Sequence, residues 1–100
     1  MKKLLFSIAL FSTSSLALAH TPLLSCFDEG DGTVTCEGGF SDGSSASGVN
    51  FYVDQGDKKV IEQKFNELNT VNFSKPADSY EAVFDAGEGH KVIIKGDKIN

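Results

Sequence analysis

From Leu23 onward, apolar and polar residues alternate along short segments that are separated by turn-forming residues. Leu23 to Phe27 and Thr33 to Glu37 are β-prone runs flanking Asp28-Glu29-Gly30-Asp31-Gly32, an acidic spacer of the kind that closes a hairpin, with Gly30 and Gly32 available for positive φ. A Gly/Ser connection runs from Gly38 to Gly48. Beyond it, Val49, Phe51 and Val53 point one way while Asn50, Tyr52 and Asp54 point the other, as a half-buried strand requires. Gln55-Gly56-Asp57-Lys58 turns the chain, and Lys59 to Phe65 returns with Ile61 and Phe65 on one face. Val71 and Phe73 make a short strand, and Lys75-Pro76-Ala77-Asp78 turns again. Tyr80, Ala82 and Phe84 then alternate with Glu81 and Val83, Asp85 to Gly89 form a turn, and Val92 to Lys95 close the domain. No segment sustains a helical period. About seven short strands with turn signals every 8–12 residues predict an all-β fold, an antiparallel Greek-key β-sandwich. Its core is expected from Phe51, Val53, Phe65, Phe73, Tyr80, Phe84 and Ile93.

The N-terminus follows a different pattern. Lys2-Lys3 supply a positive start, Leu4 to Leu18 form an apolar stretch broken only by small hydroxyl residues, and Ala17-Leu18-Ala19 is a small-x-small cleavage site. The stretch is too short for a membrane span. It reads as an export signal over residues 1–19, cleaved after Ala19, which leaves His20 to Asn100 as one domain with no transmembrane segment and a periplasmic destination. Leu23-Leu24-Ser25-Cys26 loosely resembles the box at which bacterial lipoproteins are acylated, but His20-Thr21-Pro22 interrupts the apolar run before it. Acylation would also strand Cys36.

Two cysteines in an exported chain read most simply as one disulfide. A hairpin centred near Asp31 sets Cys26 across from Cys36, and such a short closed loop contributes about 2–3 kcal/mol. A Cys-x9-Cys pair matches no ordinary zinc spacing. The acidic turn between them lacks the Asp-x-Asp-x-Asp-Gly rhythm of a calcium loop and reads as a solvated turn.

Charge excludes more than it assigns. The 100 residues carry nine Lys+Arg against 14 Asp+Glu, net −5, and contain no Arg. A phosphate-binding surface for DNA or RNA is therefore not expected. The chain also offers no Ser-His-Asp or Cys-His arrangement at a recognisable motif, so no enzyme activity is expected.

Three stretches carry a resemblance. Phe40-Ser41-Asp42-Gly43-Ser44-Ser45-Ala46-Ser47-Gly48-Val49-Asn50-Phe51, then Val71-Asn72-Phe73-Ser74-Lys75-Pro76-Ala77-Asp78-Ser79-Tyr80, then Phe84-Asp85-Ala86-Gly87-Glu88-Gly89-His90, resemble the transthyretin-like (prealbumin-like), carboxypeptidase-regulatory-like β-sandwich. In particular they resemble small periplasmic proteins of that fold whose mature N-terminus is His, some of them similar to accessory proteins found with nickel and cobalt uptake systems. One turn departs from the pattern: Asn66-Glu67-Leu68-Asn69-Thr70 stands where such domains place an Asp/Asn-Gly turn. The transthyretin-related hydrolases of purine breakdown are excluded. They need an Arg, several His and a Tyr-Arg-Gly-Ser end, and this chain ends Gly96-Asp97-Lys98-Ile99-Asn100.

The remaining candidate chemistry lies in two histidines. Cleavage after Ala19 frees the α-amine of His20, which with its imidazole can chelate one Cu(II), Ni(II) or Co(II) ion. The square-planar terminal motif with a third-residue His is absent, because Pro22 stands there. His90 would supply a further nitrogen, and Asp85 or Glu88 an oxygen. This requires the start of the first strand and the last turn to meet at one end of the sandwich. Such a site would weaken as pH falls through the imidazole and amine pKa values, roughly 6.5 and 7.7–8.0. The expected role is an exported protein that binds a transition metal ion and hands it to a membrane metal permease. The alternative is a metal-free envelope protein that binds a protein partner through strand edges and the Gly38 to Gly48 loop.

Overall fold

The computed structural model describes residues 21–87 and 89–100. They form seven strands: β1 (Pro22–Asp28), β2 (Thr33–Phe40), β3 (Asn50–Gln55), β4 (Lys58–Lys64), β5 (Thr70–Ser74), β6 (Glu81–Asp85) and β7 (Lys91–Lys95), followed by a 3-10 turn at Gly96–Lys98. The expected strands are all present, shifted at most by a residue or a few at their ends. A three-stranded sheet, β1-β2-β5, faces a four-stranded sheet, β4-β3-β6-β7, and every pairing is antiparallel. The chain crosses between sheets from β2 to β3, from β4 to β5 and from β5 to β6, which is Greek-key wiring. Immunoglobulin-type sandwiches share this architecture, which unrelated sequences adopt and which assigns no kinship. Among the described residues no helix is long and apolar enough to cross a membrane.

The hairpin joining β1 and β2 follows its sequence closely. Gly30 and Gly32 take φ of 83° and 93°, which an L side chain adopts only at a cost. The Asp28 carboxylate accepts from the Gly30 N–H, and the Asp31 carboxylate accepts from the Thr33 N–H and hydroxyl. The acidic spacer is thus consumed by turn geometry. Cys26 faces Cys36 in register and the two are disulfide-bonded, with Cα atoms 4.0 Å apart.

Between the sheets an aromatic chain runs along the core. Ring centroids of Phe40 and Phe84 lie 5.6 Å apart, Phe84 and Phe65 5.0 Å, Phe65 and Phe51 5.7 Å, Phe51 and Phe73 5.5 Å, and Phe73 and Tyr80 6.1 Å. These tilted and edge-to-face pairs suit the ring quadrupoles and add to the stabilisation from burial. Val34, Cys36, Val53, Val71 and Ala82 fill the space around them.

Ile93 corrects the expected core: it is 54% exposed. It pairs in register with Val83 on the outer face, while Val92 and Ile94 turn inward. In Val92-Ile93-Ile94 an apolar run hides the alternation, and only pairing to β6 fixes which residues point in. Tyr52 points outward as expected, yet is buried. Lys59 Nζ lies 4.2 Å and Lys91 Nζ 5.9 Å from its ring centroid. The lysine stems cover the ring while their ammonium groups meet its negative face.

Candidate functional site

Strand register sorts the connections into two ends. Pro22 pairs with Phe40, and Glu37 with Thr70, across the smaller sheet. Asn50 pairs with Lys64 and with Asp85, and Asp85 with Lys91, across the larger one. One end of the sandwich therefore gathers the start of β1, the connection 41–49, the connection 65–69 and the turn 86–90. The Phe40–Phe84 contact ties the two sheets there. Two of the three stretches that carry the sequence resemblance lie largely at this end.

Asp85 and His90 bracket the turn that joins β6 and β7. The Asp85 carboxylate accepts from the Gly87 N–H at 3.0 Å. The Ala86 N–H donates to the His90 carbonyl, and the His90 N–H to the Gly87 carbonyl, each at 2.9 Å. This closed turn holds His90 exposed, with its backbone fixed. At the neighbouring strand start, the Thr21 N–H donates to Ser41 Oγ at 3.1 Å and the Ser41 N–H to the Thr21 carbonyl at 2.9 Å. Thr21 therefore lies at the same end as the 86–90 turn. His20 and Glu88 themselves lie outside the described residues. Among the described residues no group of three or more His, Cys, Asp or Glu is placed to hold a metal ion. Cys26 and Cys36 are closed to metals by their disulfide.

Asparagines make this end rigid. Asn69 takes φ of 66°, a left-handed conformation that Asn tolerates better than most residues. Its side-chain oxygen accepts from Ser45 Oγ at 2.6 Å and from the Ala46 N–H at 3.0 Å, and its carbonyl accepts from the Gly38 N–H. Asn66 Oδ1 accepts from the N–H groups of Leu68 and Thr70. Asn69 thus supplies the positive φ that a glycine gives in an Asp/Asn-Gly turn, and also pins the 41–49 connection by burying Ala46. The sequence pattern shows Asn66 and Asn69 as turn residues; the cross-loop bond to Ser45 carries no local signal. Leu68 sits beside them, 77% exposed.

Different chemistry occupies the opposite end. Lys75 Nζ donates to Asp28 at 2.7 Å. That bond, with the Gly30 N–H, holds the Asp28 carboxyl below its ordinary pKa and raises that of Lys75. The Thr33 hydroxyl and N–H lower that of Asp31. Burial pushes the Tyr80 phenol up, and its hydroxyl has no hydrogen-bond partner among the described residues. A cavity of about 650 Å³ opens beside it, lined by Tyr80, Lys75, Asp78, Glu81, Lys95 and Asp97 among others. This cavity therefore lies away from Asp85 and His90.

No family model, no curated protein and no solved structure matches this chain.

Proposed function

We propose that the chain is an exported periplasmic protein, cleaved after Ala19, that binds a transition metal ion through His20 and passes it to a membrane transport partner. The observation that supports this reading is the convergence of the β1 start and the 86–90 turn at one end of the sandwich. Thr21, the residue after His20 in the chain, and His90 both belong to that end of the fold. The disulfide removes both thiols from competition. What is left is an amine, imidazoles and the carboxylates of Asp85 and Glu88, a nitrogen and oxygen donor set that suits Cu(II) and Ni(II), and Co(II) less strongly. The exposed Leu68 at this end offers an apolar contact for the partner.

Calorimetric titration with Ni(II) and Cu(II) tests this. Protein processed after Ala19 should bind one ion, and a form carrying one extra residue before His20 should bind at least about tenfold more weakly, because the terminal chelate is lost. His90→Ala should weaken binding by a smaller factor. Equal affinity of the processed and extended forms rules out the terminal chelate. The metal-free alternative, an envelope protein-interaction module, is favoured by Leu68; recovery of an envelope partner that survives chelator and is lost with Leu68→Ser would select it.

A further inference from the structure

Among the described residues four strand edges, β1, β5, β4 and β7, are open to a neighbour, and they differ in chemistry. β4 carries Lys58, Lys59 and Lys64 and a bulge against β3. β7 carries Lys91 and Lys95. Lysines and bulges at edges discourage strand addition. At the β5 edge, Gln63 Nε2 donates to the Asn72 carbonyl at 3.0 Å, which occupies an acceptor. β1 has no charged residue from Pro22 to Phe27, and its outer face exposes Leu23 at 51% and Phe27 at 43%.

The hydrogen-bonding direction along β1 follows from its register. The 4.0 Å separation of Cys26 and Cys36 Cα atoms marks a non-hydrogen-bonded pair, in which N–H and C=O point away from the partner strand. Residues of the same parity agree: the Asp28 N–H leaves β2 to reach the Asn100 carbonyl, and the Gly38 N–H leaves β1 to reach Asn69. Leu24 and Cys26 thus turn their backbone groups to the open edge. Pro22 has no N–H to offer at one end of this edge, and Asp28 has already committed its own at the other. What stays addressable is centred on Ser25.

We propose that β1 is a self-association edge, on which a second copy of this chain pairs antiparallel about a two-fold axis through Ser25. In that register Leu24 of each copy exchanges backbone hydrogen bonds with Cys26 of the other, the parity an antiparallel ladder needs. On the outer face Leu23 of one copy falls opposite Phe27 of the other, so both exposed apolar side chains are covered by symmetry. Each Asp28 meets a Pro22, and no like charges are set directly opposite. The Glu37 residues, each in register with Ser25, come three strand spacings apart. That is roughly 14 Å, beyond a Debye length of about 8 Å at physiological salt. The two small sheets become one continuous sheet.

Sedimentation of the processed protein from about 10 μM to about 1 mM should show a monomer–dimer equilibrium. Exchange of the Leu24 and Cys26 amides should slow as concentration rises. Ser25→Glu sets four carboxylates in one cross-strand row and should weaken the dimer at least about tenfold. Val60→Lys, on the far edge strand β4, should leave it unchanged. The amide exchange of the unaltered protein decides the matter even if a variant fails to fold. A protein that stays monomeric throughout, or a dimer lost in Val60→Lys and kept in Ser25→Glu, overturns the proposal.

Discussion

At the end where β1 begins, the connections are held by asparagine side chains reaching across loops. At the opposite end they are held by a flat aromatic ring, an ion pair and the C-terminal segment. Asn69 joins 65–69 to 41–49, and Asn66 closes its own turn. At the other end the Gly96 N–H donates to the Tyr80 carbonyl at 2.7 Å, and Ile99 is buried against the core. The Asp28 N–H completes the closure on Asn100. The first solution leaves small polar loops with exposed tips, among them His90 and Leu68. The second commits Lys75 and Asp28 to an ion pair and leaves a cavity lined by charged residues but without histidine or cysteine. The comparison teaches that a cavity is a poor guide to candidate chemistry in so small a sandwich: Asp85 and His90 sit where loops converge, and the cavity sits where the tail packs.

The comparison can be broken most forcefully at the tail. A Cβ on Gly96 would lie 2.4 Å from Tyr80 Cε1, with two more ring carbons at 2.7 Å, and that ring is packed against Phe73. Gly96→Ala should therefore cost roughly 2–3 kcal/mol in urea unfolding. Gly38→Ala meets Phe65 at the other end at 2.9 Å and should cost about 1 kcal/mol, because its closest approach is longer than the 2.4 Å at Gly96 and a smaller shift of the ring relieves it. A larger loss in Gly38→Ala would mean that the loop end, not the tail end, is the more tightly packed.

Asn69 gives the next effect. Asn69→Ala places a non-glycine, non-asparagine residue at positive φ and removes the bonds to Ser45 and Ala46, for about 2 kcal/mol together. Asn69→Gly keeps the backbone conformation and should cost about half as much. Equal losses in the two would show that the side-chain bridge, rather than the backbone, fixes this end.

The smallest effect is in acid. Because the fold holds the Asp28 carboxyl below its ordinary pKa, its contribution is complete above the unfolded value and is lost as pH falls through the lower folded one. Asp28→Asn should lower the unfolding free energy modestly at neutral pH, change it little in strong acid, and so flatten the decline below about pH 4. An unchanged acid slope would assign it to other carboxylates, Asp31 first.

Much of this fold is legible in residue order, and particular residues show why. The β1–β2 hairpin follows from a glycine-bearing spacer between β-prone runs, and hairpin parity then forces Cys26 toward Cys36. Phe51 and Val53 announce their face by strict alternation. Ile93 does not, because its neighbours are equally apolar. The candidate site is half legible. His90, Asp85 and their turn are visible in sequence, whereas the bond from Asn69 to Ser45 spans 24 positions that no local pattern connects.

By itself the sequence determined the strand count, the turn positions and the disulfide, because each depends on interactions between near neighbours: pleat alternation, glycine at positive φ and hairpin register. Only the tertiary structure decided which end each loop occupies, which edge stays free of lysine and unpaired, and which face of β7 turns inward. Those depend on how strands from distant segments pair, and a one-residue change in that pairing reverses every side chain on the strand.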